Sequence, residues 1–130
     1  GKRLYTRVAD VYDCDNRPNI RMDAGIRPVI LAMSKGRLGA VAIVDDEEHL
    51  LGIITDGDLR RMMEKYEDVD GLTAKDIMSK SPKTISEEEL AYNAYRMMEQ
   101  NSITQLVVVD RENHYKGMVH IHDILREGVV

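Results

Sequence analysis

The segment Gly52-Ile53-Ile54-Thr55-Asp56-Gly57-Asp58 has the residue types and spacing to bind a sugar phosphate. Its apolar run leads directly into an amphipathic segment, which predicts a strand that ends where a helix begins. Unpaired amides and the positive dipole at such a helix start favour an anionic group such as phosphate. Thr55 can donate its hydroxyl to that phosphate, and Asp58 can accept two hydrogen bonds from a vicinal diol such as that of ribose. The same residues can also cap the helix, and the two roles are compatible.

A second polar group, His120, His122 and Asp123, lies near the C-terminus. The two histidines are two positions apart and could point the same way from an extended segment. A zinc site needs three or four protein ligands, and no cysteine pair or third convergent histidine follows them, so we predict no metal site. Asp56, Asp58 and His120 could take acid and base roles in a small enzyme. These groups lie in different copies of one pattern, and no nucleophile or metal set accompanies them, which disfavours that alternative.

An internal repeat relates the two polar groups. Residues Leu38 to Arg61 align without gaps on Ile103 to Arg126 at an offset of 65. The identical pairs are Val44/Val109, Asp45/Asp110, Glu47/Glu112, His49/His114, Gly52/Gly117, Asp58/Asp123 and Arg61/Arg126. We therefore predict two domains, residues 1–67 and residues 68–130, each formed by one copy of the repeat.

Each copy contains one amphipathic helix ahead of a pair of strands. In the first copy the helix is predicted to begin near Gly25 and to end at Gly36, because Pro28 is tolerated near a helix start. In the second copy Ser86 and Glu89 form a capping-box pattern, which predicts that the helix begins there. The predicted buried faces are Ile26, Ile30 and Met33 in the first helix and Leu90, Ala91, Ala94, Met97 and Met98 in the second.

An antiparallel hairpin and a short helix follow in each copy. The predicted strand pairs are Val41 to Val44 with Leu50 to Ile54, and Leu106 to Val109 with Tyr115 to Val119. His49 and His114 fall in the turns and are expected to be solvated. The fold class is therefore α/β (α+β), with two β-α-β-β-α repeats. One such unit buries too little surface to be stable alone, so we expect the two to pack with pseudo-twofold symmetry.

Composition excludes several classes of function. The 18 Lys and Arg residues against 23 Asp and Glu residues give a net charge of −5, which opposes binding to nucleic acid. The longest stretch without a charged residue, Gln100 to Val109, is about half of the ~20 residues that a membrane helix needs. The single cysteine, Cys14, cannot form an internal disulfide and has no recognisable base partner. We expect a cytoplasmic protein with no nucleic-acid or membrane partner.

The duplicated pattern resembles the tandem cystathionine-β-synthase (CBS) domain pair, or Bateman module. That family's repeat ends in Gly-hydrophobic-x-Thr/Ser-x-x-Asp, which Gly52, Thr55 and Asp58 match. The resemblance implies a nucleotide in the cleft between the repeats, with its phosphate at the threonine and its ribose at the aspartate. His120 departs from the pattern, which places the main site at the first copy. The predicted ligand-binding residues are Thr55, Asp56, Gly57, Asp58, Gly39, Ala40, Val41, His120, His122 and Asp123.

Further segments look like the C-terminal half of D-arabinose 5-phosphate isomerases of the Kdo (3-deoxy-D-manno-octulosonate) pathway to lipopolysaccharide or capsule. They are Gly1 to Leu4, Thr55 to Arg61 and His120 to Val130. The resemblance implies a catalytic sugar isomerase (SIS) domain as partner in the same polypeptide, with the interdomain junction near Gly1, and a homodimer or homotetramer. It also implies a nucleotide or nucleotide sugar such as CMP-Kdo as regulatory ligand, with no cofactor. The alternative is a structural oligomerisation module with no physiological ligand.

Overall fold

The computed structural model describes residues 2–130, so the interdomain junction predicted at Gly1 lies outside the described residues. The chain forms two compact units, the central unit Pro18–Pro82 and the terminal unit, which joins Gly1–Arg17 to Lys83–Val130. The predicted ranges 1–67 and 68–130 do not coincide with these units. The boundary falls after Pro82 because the leading segment of each repeat packs with the other repeat.

The central unit is a four-stranded sheet with three helices. Its elements are β1 (Asn19–Ile20), α1 (Ile26–Gly36), β2 (Ala40–Val44), β3 (Leu50–Thr55), α2 (Asp56–Lys65), α3 (Ala74–Ile77) and β4 (Ser79–Lys80). The strand order is β1-β2-β3-β4. The β1–β2 pair is parallel and the other two pairs are antiparallel. The predicted hairpin is confirmed, whereas α3 and β4 were not anticipated.

Burial of one helix face and of strand β2 builds the core of the central unit. All five residues of β2 are buried. The core comprises Val29, Met33, Val41, Ile43, Ile54 and Ala74. Helix α1 begins after Gly25 and ends at Gly36 as predicted, with Arg37 in the left-handed conformation that terminates many helices. Its predicted face was partly wrong, since Ile30 is 42% exposed and Val29 is buried instead.

The terminal unit has a three-stranded sheet in the order β5-β6-β7. Its elements are the short 3₁₀ turns Lys2–Tyr5 and Val8–Asp10, then β5 (Thr84–Ser86), α4 (Ala91–Asn101), β6 (Gln105–Val109), β7 (Tyr115–His120) and α5 (Ile121–Arg126). The β5–β6 pair is parallel and β6–β7 is antiparallel. With β1-α1-β2-β3-α2 in the central unit, the β-α-β-β-α order occurs twice, which confirms the predicted fold class.

The start of α4 corrects one prediction. The helix begins at Ala91 rather than near Ser86, and Leu90 precedes it without a side-chain cap. Ser86 ends strand β5, where its Oγ accepts a hydrogen bond from the Glu88 amide at 3.1 Å. Parallel pairing of β5 with β6 keeps this segment extended, so tertiary structure overrides the local capping pattern.

Two short segments, residues 6–12 and residues 73–79, explain why the units differ from the repeats. Residues 6–12, at the start of the first repeat, pack with second-repeat residues: the Val8 amide donates to the Glu89 carbonyl at 2.8 Å, and Val8 and Tyr12 enter the terminal core. Residues 73–79, near the start of the second repeat, pack with first-repeat residues: the Ala74 amide donates to the Ala24 carbonyl at 2.8 Å. The leading segment of each repeat thus belongs to the unit that the rest of the other repeat forms.

Among the described residues, no helix is both long and apolar enough to cross a bilayer.

Candidate functional site

The central junction, where β3 meets α2, is a reciprocal helix cap. Thr55 is the N-cap residue, and its Oγ1 accepts a hydrogen bond from the Asp58 amide at 3.3 Å. Asp58 Oδ2 in turn accepts from the Thr55 amide at 2.9 Å and from Thr55 Oγ1 at 3.1 Å. Capping, one of the two roles predicted for these residues, is therefore present in the structure.

The Asp58 carboxylate has further partners on its other oxygen. Oδ1 accepts from Arg61 Nη2 at 2.7 Å and from Ser79 Oγ, on β4, at 2.9 Å. Asp58 is 6% exposed. Burial by itself raises its pKa, but the hydrogen bonds from Arg61, Thr55 and Ser79 outweigh burial and hold the pKa below its ordinary value. The carboxylate is thus ionised and saturated with donors.

Gly57 leaves space for the Arg61 side chain beside the first turn of α2. A Cβ at Gly57 would lie 3.3 Å from Arg61 Nη1 and 3.4 Å from Nη2, closer than most real Cβ contacts. Arg61 remains 68% exposed while its Nη2 contacts the buried carboxylate of Asp58. The guanidinium therefore covers the helix start from the solvent side.

The remaining predicted residues of the first copy meet at the same place. Gly39 has a φ of 70°, and its carbonyl accepts from the Asp56 amide at 3.2 Å. Ala40 pairs with Thr55 across the β2–β3 ladder. The side chains of Ala40 and Val41 are completely buried, so at a binding site these two residues could offer backbone atoms alone. The structure brings the seven predicted first-copy residues together within the central unit.

The terminal junction, where β7 meets α5, uses the same cap with a different residue. The His120 amide donates to Asp123 Oδ2 at 2.9 Å, and His120 Nδ1 accepts from the His122 amide at 3.1 Å. The two imidazole rings stack with centroids 4.7 Å apart. Arg126 Nη1 lies 3.6 Å from Asp123 Oδ1, beyond hydrogen-bond distance. The three predicted second-copy residues are thus together, in the terminal unit.

The protonation state of His120 affects this second cap. Burial and the neighbouring His122 lower the pKa of His120, and Asp123 opposes them in part. Because Nδ1 accepts a hydrogen bond, the neutral imidazole is the form that caps the helix. Protonation of His120 at low pH therefore removes the hydrogen bond that its Nδ1 accepts from the His122 amide.

The sequence did not identify two of the Asp58 partners. Ser79 lies 21 positions from Asp58, and no local pattern links the two residues. Arg61 did carry a signal, because it is one of the identical pairs of the repeat and lies one helical turn after Asp58.

The turn histidines are another correction. They were predicted to be solvated, yet their side chains are 32% and 31% exposed and contact the first residue of each turn. His49 Nδ1 lies 3.1 Å from Asp45 Oδ2, and His114 Nδ1 lies 3.0 Å from Asp110 Oδ2. In both units, the hairpin turn is therefore stabilised by a contact between its aspartate and its histidine.

Within residues 2–130, no group of three or more His, Cys, Asp or Glu side chains is arranged to hold a metal ion. Cys14 is a free, exposed thiol.

In the terminal unit, a hollow of about 280 Å³ lies between the end of β5 and the β6–β7 turn, lined by Ser86, Glu87, Glu88, Val109, Asp110, Arg111 and Glu112. The β6–β7 register places this hollow at the opposite end of the sheet from the terminal junction. Its predominantly acidic lining opposes a phosphate ligand.

Comparison with known proteins gives two matches to the CBS domain family, over residues 8–65 and 74–129. Arabinose 5-phosphate isomerase KpsF of Escherichia coli is 40% identical over 123 residues, which are 95% of this chain and 37% of that relative. The chain thus spans less than two fifths of the length of this relative.

Solved structures show the same fold. CBSX2 in complex with AMP matches with a TM-score of 0.81 and 18% identity, over 95% of this chain and 96% of that one. The CBS domain pair of protein MJ0100, in complex with 5′-methylthioadenosine and S-adenosylmethionine, matches with a TM-score of 0.78 and 25% identity, over 95% of this chain and 96% of that one.

Proposed function

Because the chain belongs to the CBS domain family, we propose that it is a regulatory module that binds an adenosine nucleotide or a related nucleotide at the central junction. The observation that carries the proposal is the Asp58 carboxylate, ionised and 6% exposed, fixed beside the Thr55 hydroxyl at the start of α2. An ionised carboxylate at this position is a strong acceptor for sugar hydroxyl groups, which would have to take the place of one of its present donors. The adenosine compounds bound by CBSX2 and by the MJ0100 pair support this ligand class.

The proposed partner is the catalytic domain of an arabinose 5-phosphate isomerase in the same polypeptide. The KpsF relative, of which this chain spans 37%, supports that assignment. Ligand binding would change isomerase activity only if the ligand prefers one of two arrangements of the enzyme, a coupling of about 1 to 3 kcal/mol in typical cases. A nucleotide sugar of the same pathway, CMP-Kdo, is the competing ligand, since it would provide feedback control.

A thermal-shift experiment with AMP, ATP, S-adenosylmethionine, CMP and CMP-Kdo tests this function. A ligand that binds the folded state stabilises it by mass action, by about 2.7 kcal/mol at 100 times its Kd, so Tm should rise by several degrees. AMP should raise Tm more than 2′-deoxy-AMP, and Asp58→Asn should remove that difference. If none of these compounds raises Tm, the proposed function is wrong; if CMP-Kdo alone does so, the adenosine assignment is wrong.

A structural oligomerisation module is the second candidate, and exposed apolar side chains favour it. Ile30 and Leu31 on α1 are 42% and 57% exposed, and Met63 on α2 is 65% exposed. Where such side chains form a contiguous apolar patch, that patch is typical of a protein interface. Sedimentation velocity across a concentration series would show a dimer or tetramer in this case, and the thermal-shift panel would show no response.

A further inference from the structure

The Asp58 carboxylate, which the proposed function assigns to ligand hydroxyls, is already saturated by the protein. Its two oxygens accept four hydrogen bonds, two on each oxygen. A carboxylate offers about four lone-pair sites, so a ligand hydroxyl can bind only if one of the present donors leaves.

We propose that Arg61 is a displaceable occupant of the central junction, which ligand hydroxyl groups must remove from Asp58 before they can bind. This inference rests on the proposed function of the same junction. Arg61 thereby sets the ligand affinity of the chain without being part of the bound state.

The four donors differ in how easily they can leave. Both bonds to Oδ2 come from Thr55 and belong to the helix cap, so their loss would open the first turn of α2. Ser79 approaches Oδ1 from β4, whose backbone is paired with β3. Arg61 reaches Oδ1 through a long side chain that is 68% exposed, and its guanidinium can return to water at little cost.

The position of the guanidinium also suits a blocking role. It lies against Gly57, where a Cβ would be 3.3 Å from Nη1, and so covers the solvent side of the helix start. A ligand that approaches Asp58 from solvent meets Arg61 first. A ligand hydroxyl group can replace the one bond that Oδ1 loses when Arg61 leaves, whereas a deoxy sugar that lacks this hydroxyl cannot.

The terminal junction provides a matched control. Arg126 corresponds to Arg61 in the repeat, but its Nη1 lies 3.6 Å from Asp123 Oδ1 and makes no hydrogen bond there. Removal of Arg126 should therefore release nothing that a ligand of the central junction has to displace.

Calorimetric titration of AMP into the wild type and the variants Arg61→Ala, Arg126→Ala and Asp58→Asn tests the inference. Arg61→Ala should lower the Kd about fivefold, which corresponds to the loss of one partly exposed ion pair. Arg126→Ala should leave the Kd unchanged. In the double variant Arg61→Ala with Asp58→Asn the gain should disappear, because the released carboxylate is absent.

The outcomes separate this inference from the function on which it rests. If the wild type binds AMP and Arg61→Ala binds it equally or more weakly, Arg61 does not block the site and the inference is wrong. A gain that persists in the double variant would also overturn it. If neither the wild type nor Arg61→Ala binds AMP, the proposed function fails and the inference falls with it. Melting curves of each variant show that a change in Kd does not arise from unfolding.

Discussion

The central and terminal junctions share the same backbone cap and differ in the hydrogen-bond partners of their carboxylates. In both, the N-cap amide donates to an aspartate three residues later, at 2.9 Å. At the central junction Asp58 also binds Thr55 Oγ1, Arg61 and Ser79 and is 6% exposed. At the terminal junction the Asp123 side chain is 15% exposed and Arg126 lies 3.6 Å away.

This difference shows that a duplicated motif can keep its fold while its chemistry diverges. The cap depends on local backbone geometry, which the repeat preserves in both units. The environment of the carboxylate depends on a hydroxyl at the N-cap and on a distant donor such as Ser79. Replacement of threonine by His120 exchanges a hydroxyl donor for an imidazole acceptor, and the second carboxylate loses one of its partners.

The largest expected effect is a difference in stability between Asp58→Asn and Asp123→Asn. The first removes a buried charge that binds four donors and should lower the free energy of unfolding by about 3 kcal/mol. The second should cost about 1 kcal/mol, because among the described residues Asp123 accepts a single hydrogen bond of ordinary length, from the His120 amide. Urea denaturation of both variants provides the measurement. Equal losses would show that the two carboxylates contribute alike.

Displacement of β4 should have the next largest effect. A Cβ at Gly52 would lie 2.8 Å from Met78 Sδ and 2.8 Å from the Ser79 carbonyl, so Gly52→Ala should push β4 away from Asp58. We expect a loss of about 2 kcal/mol, typical of overpacking.

Gly71→Ala is the control for this variant, because nothing lies within 4 Å of a Cβ there. It should leave the free energy of unfolding nearly unchanged. Gly52→Ala combined with Asp58→Asn should cost less than the sum of the two single changes, since both act on the Ser79–Asp58 bond. Additive losses would separate β4 from the stability of the central junction.

The smallest expected effect concerns pH and the terminal junction. The pKa of His120 is lowered in the folded state relative to the ordinary value of 6.5, so the unfolded chain binds a proton that the folded chain resists. The contribution of His120 to stability is therefore present above pH 6.5 and is lost as pH falls below it.

His120→Thr, which gives the terminal junction the N-cap residue of the central one, should lose less stability than the wild type between pH 7.5 and pH 5. Urea denaturation at several pH values measures the difference. A parallel pH dependence in the two proteins would show that His120 does not titrate against the fold.

Periodicity and the repeat predicted much of the fold, because these features are local. Both hairpins follow from paired apolar, β-branched runs, helix α1 follows from a helical hydrophobic pattern, and the cap at Thr55 follows from the residue types at the start of α2. The helix start predicted at Ser86 was wrong because the capping pattern is local, whereas the pairing of Ser86 with β6 depends on residues far away in the sequence. The packing of residues 6–12 and 73–79 with the other repeat could not be predicted, and neither could the contact between Ser79 and Asp58. All of these contacts join residues far apart in sequence.

Backbone amide chemical shifts, followed during a titration with AMP, would locate the bound ligand without prior choice of a site. The largest changes should occur at residues 55–61 and at Ser79, and they should be absent in Asp58→Asn. Changes concentrated at residues 120–126, or an unchanged spectrum at saturating AMP, would contradict ligand binding at the central junction.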